Sequence, residues 1–120
     1  MNFYQSVFGG EVHFSRFSDM NDPSVPEGYK NKIMHATLTT SALTFMASDA
    51  QPGSQVTFGS NVDMSLAGKD EALLTKYFNG LAAGGVVEMP LAKQFWGDTF
   101  GMATDKFGIH WMVDISPAQQ

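Results

Sequence analysis

Two histidines, one carboxylate and one aromatic pair are the residues of this chain best placed to do chemistry. His35 and His110 each fall on the mixed face of an alternating stretch. With a reference pKa of about 6.5, an imidazole there can act as general base or acid, or hydrogen-bond a ligand. The alternative for each is a partly buried histidine satisfied by a backbone or side-chain partner, because residue type on a strand face says nothing of geometry. Asp63 joins them in an imaginable His35–Asp63–His110 metal cluster, although spacing on separate strands cannot establish convergence. Trp96, with Phe95 before Gly97, is either a stacking platform for an aromatic or cationic ligand or a pair closing a core rim or dimer contact. Met112, beside His110 in the alternation, suits the wall of a cavity. Asp98 and Asp105 read as turn and solvent-facing residues, and Asp114 as a cavity residue or the polar end of its strand.

The element positioning most of these is a hairpin within residues 95–114, FWGDTFGMATDKFGIHWMVD. Its arms are residues 100–104 and 109–115, joined by Asp105-Lys106-Phe107-Gly108, a type I turn signature. In the second arm Ile109, Trp111, Val113 and Ile115 share one face, opposed to His110, Met112 and Asp114. The apolar face requires a helix or sheet against it.

Earlier in the chain, residues 1–8 read as a short helix with Phe3, Tyr4, Val7 and Phe8 on one side, ended by Gly9-Gly10. Residues 11–17 alternate as a strand. Residues 19–31 hold two prolines and form a loop, either a lid or plain surface. Residues 32–40 and 43–48 make a hairpin through Ser41-Ala42, with Ile33, His35, Thr37 and Thr39 opposed to Met34, Ala36 and Leu38. The stretch 49–55 is a linker with Pro52-Gly53 set for a type II turn. Residues 56–67 read as extended, and Asp70 as the N-cap of a helix burying Leu73, Leu74, Tyr77, Phe78 and Leu81, closed by Gly84-Gly85. Residues 86–89 begin a strand that Pro90 weakens, making it an edge strand or an irregular one.

The two halves repeat: aromatic pair, aliphatic residue, glycine pair, valine, strand, hairpin, acidic residue. The expected fold is α+β, with two βαβββ modules curling a mixed sheet into a cup and helices outside. The first strand of the first module is missing. Either the chain begins upstream of Met1, or an edge strand awaits a partner chain. Residues 1–120 are expected to be a single domain: module one 1–50, linker 51–55, module two 56–116.

Composition sets limits. A net charge of −5 argues against a phosphate-backbone binder, so no nucleic-acid partner is expected. No apolar run approaches the ~18 residues of a membrane span. The start lacks a basic and apolar leader, which favours the cytoplasm. The absence of cysteine removes disulfides and thiolate chemistry, leaving any metal to His, Asp or Glu.

The segments FYQSVFGGEV, KIMHATL, FMASDAQPG and FWGDTFGMATDKFGIHWMVDI resemble the PhnB-like branch of the vicinal oxygen chelate superfamily, the glyoxalase/bleomycin-resistance/dioxygenase fold. The likeness runs from Met1 to about Ile115. Members of this branch are often labelled demethylubiquinone methyltransferase-like, yet no glycine-rich nucleotide fingerprint follows a strand here. The resemblance implies a homodimer and, in the superfamily's metalloenzymes, a divalent ion held by His and Glu. At the place of one such glutamate stands Met112, a poor ligand for those ions; Asn61 or Asp63 stands at a histidine position, and Phe45 and Met46 near another glutamate. A family-type metal site is therefore expected to be absent, and no cofactor is assigned. The leading expectation is a small organic molecule bound in the cup by His35, Asp63, Trp96, His110 and Met112, with or without catalysis. The alternatives are a metal-dependent lyase, isomerase or dioxygenase, and a protein sequestering cationic drugs.

Overall fold

Two glycine pairs hold equivalent places in the two halves of the computed structural model, which describes residues 1–41 and 43–117. Gly9 and Gly84 have φ of 75° and 79°, the left-handed backbone that turns the chain out of a helix. A Cβ on Gly10 would collide with the Thr39 carbonyl oxygen, and one on Gly85 with that of Thr104. Each second glycine thus lets the strand after the helix lie against the strand that pairs with it. The chain divides into two compact units on either side of Thr57 and Phe58.

Unit one holds α1 (Asn2–Phe8), β1 (Glu11–Arg16), β2 (Ile33–Thr39) and β3 (Thr44–Ala47). The strands form an antiparallel sheet in the order β1-β2-β3. Ala36 and Leu38 are buried, as alternation predicts, while His35 on the other side of β2 is exposed. Tyr4 and Phe8 of α1 meet the Phe45 ring of β3 edge-on, at 5.7 and 5.8 Å. Ala42, half of the expected Ser41-Ala42 turn, lies outside the described residues.

The loop between β1 and β2 is tied down along its length. Asp19 accepts from the Arg16 backbone N–H at 2.8 Å, and the Arg16 guanidinium donates to the Asn31 carbonyl at 2.7 Å. Asp22 accepts from both the amide and hydroxyl of Ser24, which lowers its pKa below the ordinary aspartate value. Beyond β3, Asp49 accepts from the Ile33 N–H at 2.7 Å, clamping the start of β2. Pro52-Gly53 forms its turn, with Gly53 at φ 84° and Ser54 N–H bonded to Gln51 at 2.9 Å.

Unit two holds β4 (Met64–Gly68), α2 (Glu71–Ala82), β5 (Val86–Lys93), β6 (Thr99–Thr104) and β7 (His110–Ile115), with sheet order β4-β7-β6-β5. Pairing is antiparallel except between β4 and β7. Asp70 caps α2, accepting from the Leu73 N–H at 3.0 Å. Leu74, Phe78 and Leu81 are buried, whereas Leu73 is exposed. Leu74 and Phe78 pack with Ala103, Val113 and Ile115, so α2 covers the apolar face of the hairpin. The architecture is α+β: two α-helices with a three-stranded and a four-stranded sheet among the described residues.

Besides Leu73, expected in the buried stripe of α2, two readings are corrected. Residues 56–67 are not one strand; only Met64–Gly68 pairs, because β7 begins at His110 and leaves residues 56–62 without a strand alongside. Asp105 is not solvent-facing. It occupies the turn, with Gly108 N–H bonded to its carbonyl at 3.0 Å, but it is 3% exposed. Its carboxylate is drawn inward by three donors: Phe107 N–H at 2.9 Å, Ile109 N–H at 3.1 Å and Trp111 Nε1–H at 2.9 Å.

Candidate functional site

Burying Trp111, and packing Val113 and Ile115 with α2, turns His110, Met112 and Asp114 to the opposite face of β7. Antiparallel register then sets Thr104 beside His110, Met102 beside Met112, and Phe100 beside Asp114. These six half-buried residues make a strip rich in thioether and aromatic surface, with polar groups at both ends.

At one end stands a three-residue relay. The Thr104 hydroxyl donates to Glu88 of β5, and its Oγ1 lies 2.9 Å from His110 Nδ1. Glu88 Oε1 is 3.6 Å from the same ring nitrogen. The His110 side chain is 27% exposed, enough to meet a ligand. Sequence reasoning missed Glu88 because the β5 register slips between Val87 and Met89 and again before Ala92. Around those slips alternation cannot assign a face. No local sequence signal points to Glu88; the antiparallel pairing of Val86 with Thr104 is what brings β5 alongside the threonine.

At the other end lies an aromatic and acidic corner. Residues 94–98 form a tight connection, with Gln94 N–H bonded to Asp98 at 2.8 Å and Gly97 at φ 101°. It sets the Trp96 ring edge-on to Phe100, with centroids 6.0 Å apart. Phe95 meets Trp96 at 5.0 Å but is 96% exposed. The Asp98 carboxyl neighbours Asp114, whose Oδ1 is buried without a hydrogen-bond partner among the described residues. Burial first, then the hydrogen bond and charge of Asp98, raise the Asp114 pKa above the ordinary aspartate value.

Of the five residues singled out from sequence, Trp96, His110 and Met112 stand on β7 or on the connection leading into β6, within unit two. Asp63 belongs to the same unit but is exposed and precedes β4. His35 belongs to unit one, where its Nε2 lies 3.0 Å from Thr37 Oγ1. Among the described residues no three His, Asp or Glu side chains lie together as a metal-ligand set. Met112, moreover, sits opposite Met102, so two thioethers stand side by side on the strip. This donor set does not fit a hard divalent ion. No helix among the described residues is long and apolar enough to cross a membrane.

Residues 1–114 match the family described as 3-demethylubiquinone-9 3-methyltransferase. Protein YjdN of Escherichia coli K12 is 31% identical over 116 residues, spanning 97% of this chain and 78% of its own length. The crystal structure of protein PA1353 from Pseudomonas aeruginosa superposes with a TM-score of 0.79 at 35% identity, covering 98% of this chain and 86% of that one. A Bacillus cereus PhnB protein, described as a putative 3-demethylubiquinone-9 3-methyltransferase, gives 0.72 at 27% identity over 97% and 88%. A glyoxalase/bleomycin resistance protein/dioxygenase family enzyme from Burkholderia phytofirmans shares the fold, with a TM-score of 0.54 at 14% identity over 95% and 85%. The chain has the fold of the glyoxalase/bleomycin resistance/dioxygenase proteins and belongs to the family described as 3-demethylubiquinone-9 3-methyltransferase, in which it resembles the PhnB protein.

Proposed function

We propose that the protein binds a small organic molecule on the outward face of β5, β6 and β7, without a divalent ion held in the superfamily's manner. One observation carries this: Trp96, Phe100, Met102 and Met112 lie on the same strip as a histidine hydrogen-bonded to Thr104. Aromatic rings and thioethers supply adaptable apolar contact, and a few placed polar groups fix orientation, which is how small-molecule sites are built. Methyl transfer as the family description words it finds no support in these residues, since no nucleotide-binding glycine fingerprint follows a strand.

A cationic ligand is the second reading. It is favoured by the Asp98–Asp114 pair at the Trp96 end, where a positive charge would relieve two crowded carboxyls and face an aromatic ring. A homodimer belongs to the same proposal, supported by the superfamily likeness.

Native mass spectrometry of freshly purified full-length protein tests these points together. The expected result is a dimer carrying an organic adduct of a few hundred daltons, removable by mild denaturation, and no metal in stoichiometric amount. A tightly held divalent ion at one per chain would overturn the reading.

A further inference from the structure

Building on the ligand-binding reading above, we propose that Thr104 and Glu88 hold His110 in the Nδ1–H tautomer. Its Nε2 then accepts a hydrogen bond from the ligand, which is a planar organic molecule bearing an O–H or N–H donor.

The inference follows from counting protons. A threonine hydroxyl has one, and Thr104 commits it to Glu88, whose carboxylate can only accept. The same Oγ1 lies 2.9 Å from His110 Nδ1 and can meet it only through a lone pair. Nδ1 must therefore carry the hydrogen. Glu88 Oε1, 3.6 Å from Nδ1, adds a second negative oxygen on that side and disfavours a ring lone pair there. A neutral imidazole has a single N–H, so Nε2 is left as the acceptor. Among the described residues no protein group bonds to that nitrogen.

The neighbours of His110 along the strip make the acceptor selective. Met102 and Met112 offer no donor, and Trp96 and Phe100 offer ring surface. Glu88 beside His110 and the Asp98 and Asp114 carboxyls at the other end are acids, which disfavours an anionic ligand there. A phenol-like or N–H heterocyclic ring answers both features. His35 shows the contrast: it uses Nε2 toward Thr37 on an exposed face, with no carboxylate in the arrangement.

Long-range nitrogen–proton NMR of the uniformly labelled chain reads the tautomer directly, and three histidines give a tractable spectrum. His110 is expected as Nδ1–H in the unmodified protein and in Thr104→Ser. Thr104→Val should release it toward Nε2–H. An Nε2–H signature in the unmodified protein overturns the relay, and that measurement needs no variant to fold. Phenol and anisole, which differ in one donor hydrogen, then serve as probes in the same sample. Phenol should shift the His110 nitrogens and the Met102 and Met112 methyls with an affinity about five- to tenfold above anisole, the worth of one hydrogen bond. Equal affinities overturn the donor requirement. Methyls silent to both probes would sink the binding face itself, a failure separate from the tautomer result.

Discussion

The Trp111 indole N–H donates to Asp105 Oδ2 at 2.9 Å, joining the turn between β6 and β7 to the third side chain beyond it. The same carboxylate collects two backbone N–H groups of the turn, so one buried anion fixes both the bend and the inward-facing tryptophan. Asp105→Ala should cost about 3 kcal/mol, since it strands three donors where water has little access. Trp111→Phe, which loses one bond but keeps most of the ring packing, should cost about 1 kcal/mol. Urea unfolding of both variants checks the ordering. An Asp105→Ala change within error of the parent would mean that the carboxylate does not organise the hairpin.

Asp114 makes a prediction with a definite sign. Its pKa is raised by burial and by Asp98, so the folded state binds this proton more tightly than the unfolded chain does. Stability from this group is therefore greatest below the ordinary aspartate value, about 3.9. It declines as pH rises toward and past the raised value. Asp114→Asn keeps a donor for Asp98 and removes the buried charge. At pH 7 it should be more stable than the parent, with the gap closing as pH falls below about 4. Thermal melts from pH 3 to pH 8 measure it, and a variant less stable at neutral pH contradicts the assignment.

Removing the α2 cap tests a local interaction. Asp70→Ala deprives the Leu73 N–H of its partner and should lower stability by about 1 kcal/mol, recovered in large part by Asp70→Ser. Chemical denaturation with both variants reads it. Equal loss in the two would point to a role for Asp70 other than capping.

Trp96 separates binding from folding. It is half exposed and makes ring contacts with Phe100 and the exposed Phe95, so Trp96→Ala should change the melting temperature little. Affinity for a ring-bearing ligand, such as the phenol probe, should fall roughly three- to tenfold, the worth of an aromatic contact. Unchanged affinity in titration calorimetry would remove the ring from the site.

Helices, glycine pairs and the final hairpin could be read from the sequence because each rests on contacts between residues near in sequence. The Asp70 cap, the Pro52-Gly53 turn and the alternation of β7 all depend on offsets of two to four positions. What could not be read depends on partners elsewhere. Residues 56–63 alternate as well as Met64–Gly68 but have no strand beside them, and periodicity carries no information about neighbours. Asp105 looked like an ordinary turn residue because nothing local shows that the Trp111 ring would fold back to it. The relay at His110 was half visible: its histidine lay on the expected face, but Glu88 arrives from an edge strand whose register slips twice.

The topology of unit two has a consequence for how it forms. β7 occupies the slot between β4 and β6, although β4 precedes α2 and β7 is the final strand. Until β7 arrives, β4 has no hydrogen-bonding neighbour, and α2 lacks the surface made by Val113 and Ile115. The parallel β4–β7 ladder joins residues 47 positions apart, from Met64 to Trp111, so the loop-closure cost is met before that pairing contributes anything. This half therefore cannot close before β7 pairs, and the strip of His110, Met112 and Asp114 against β6 is completed by that same pairing.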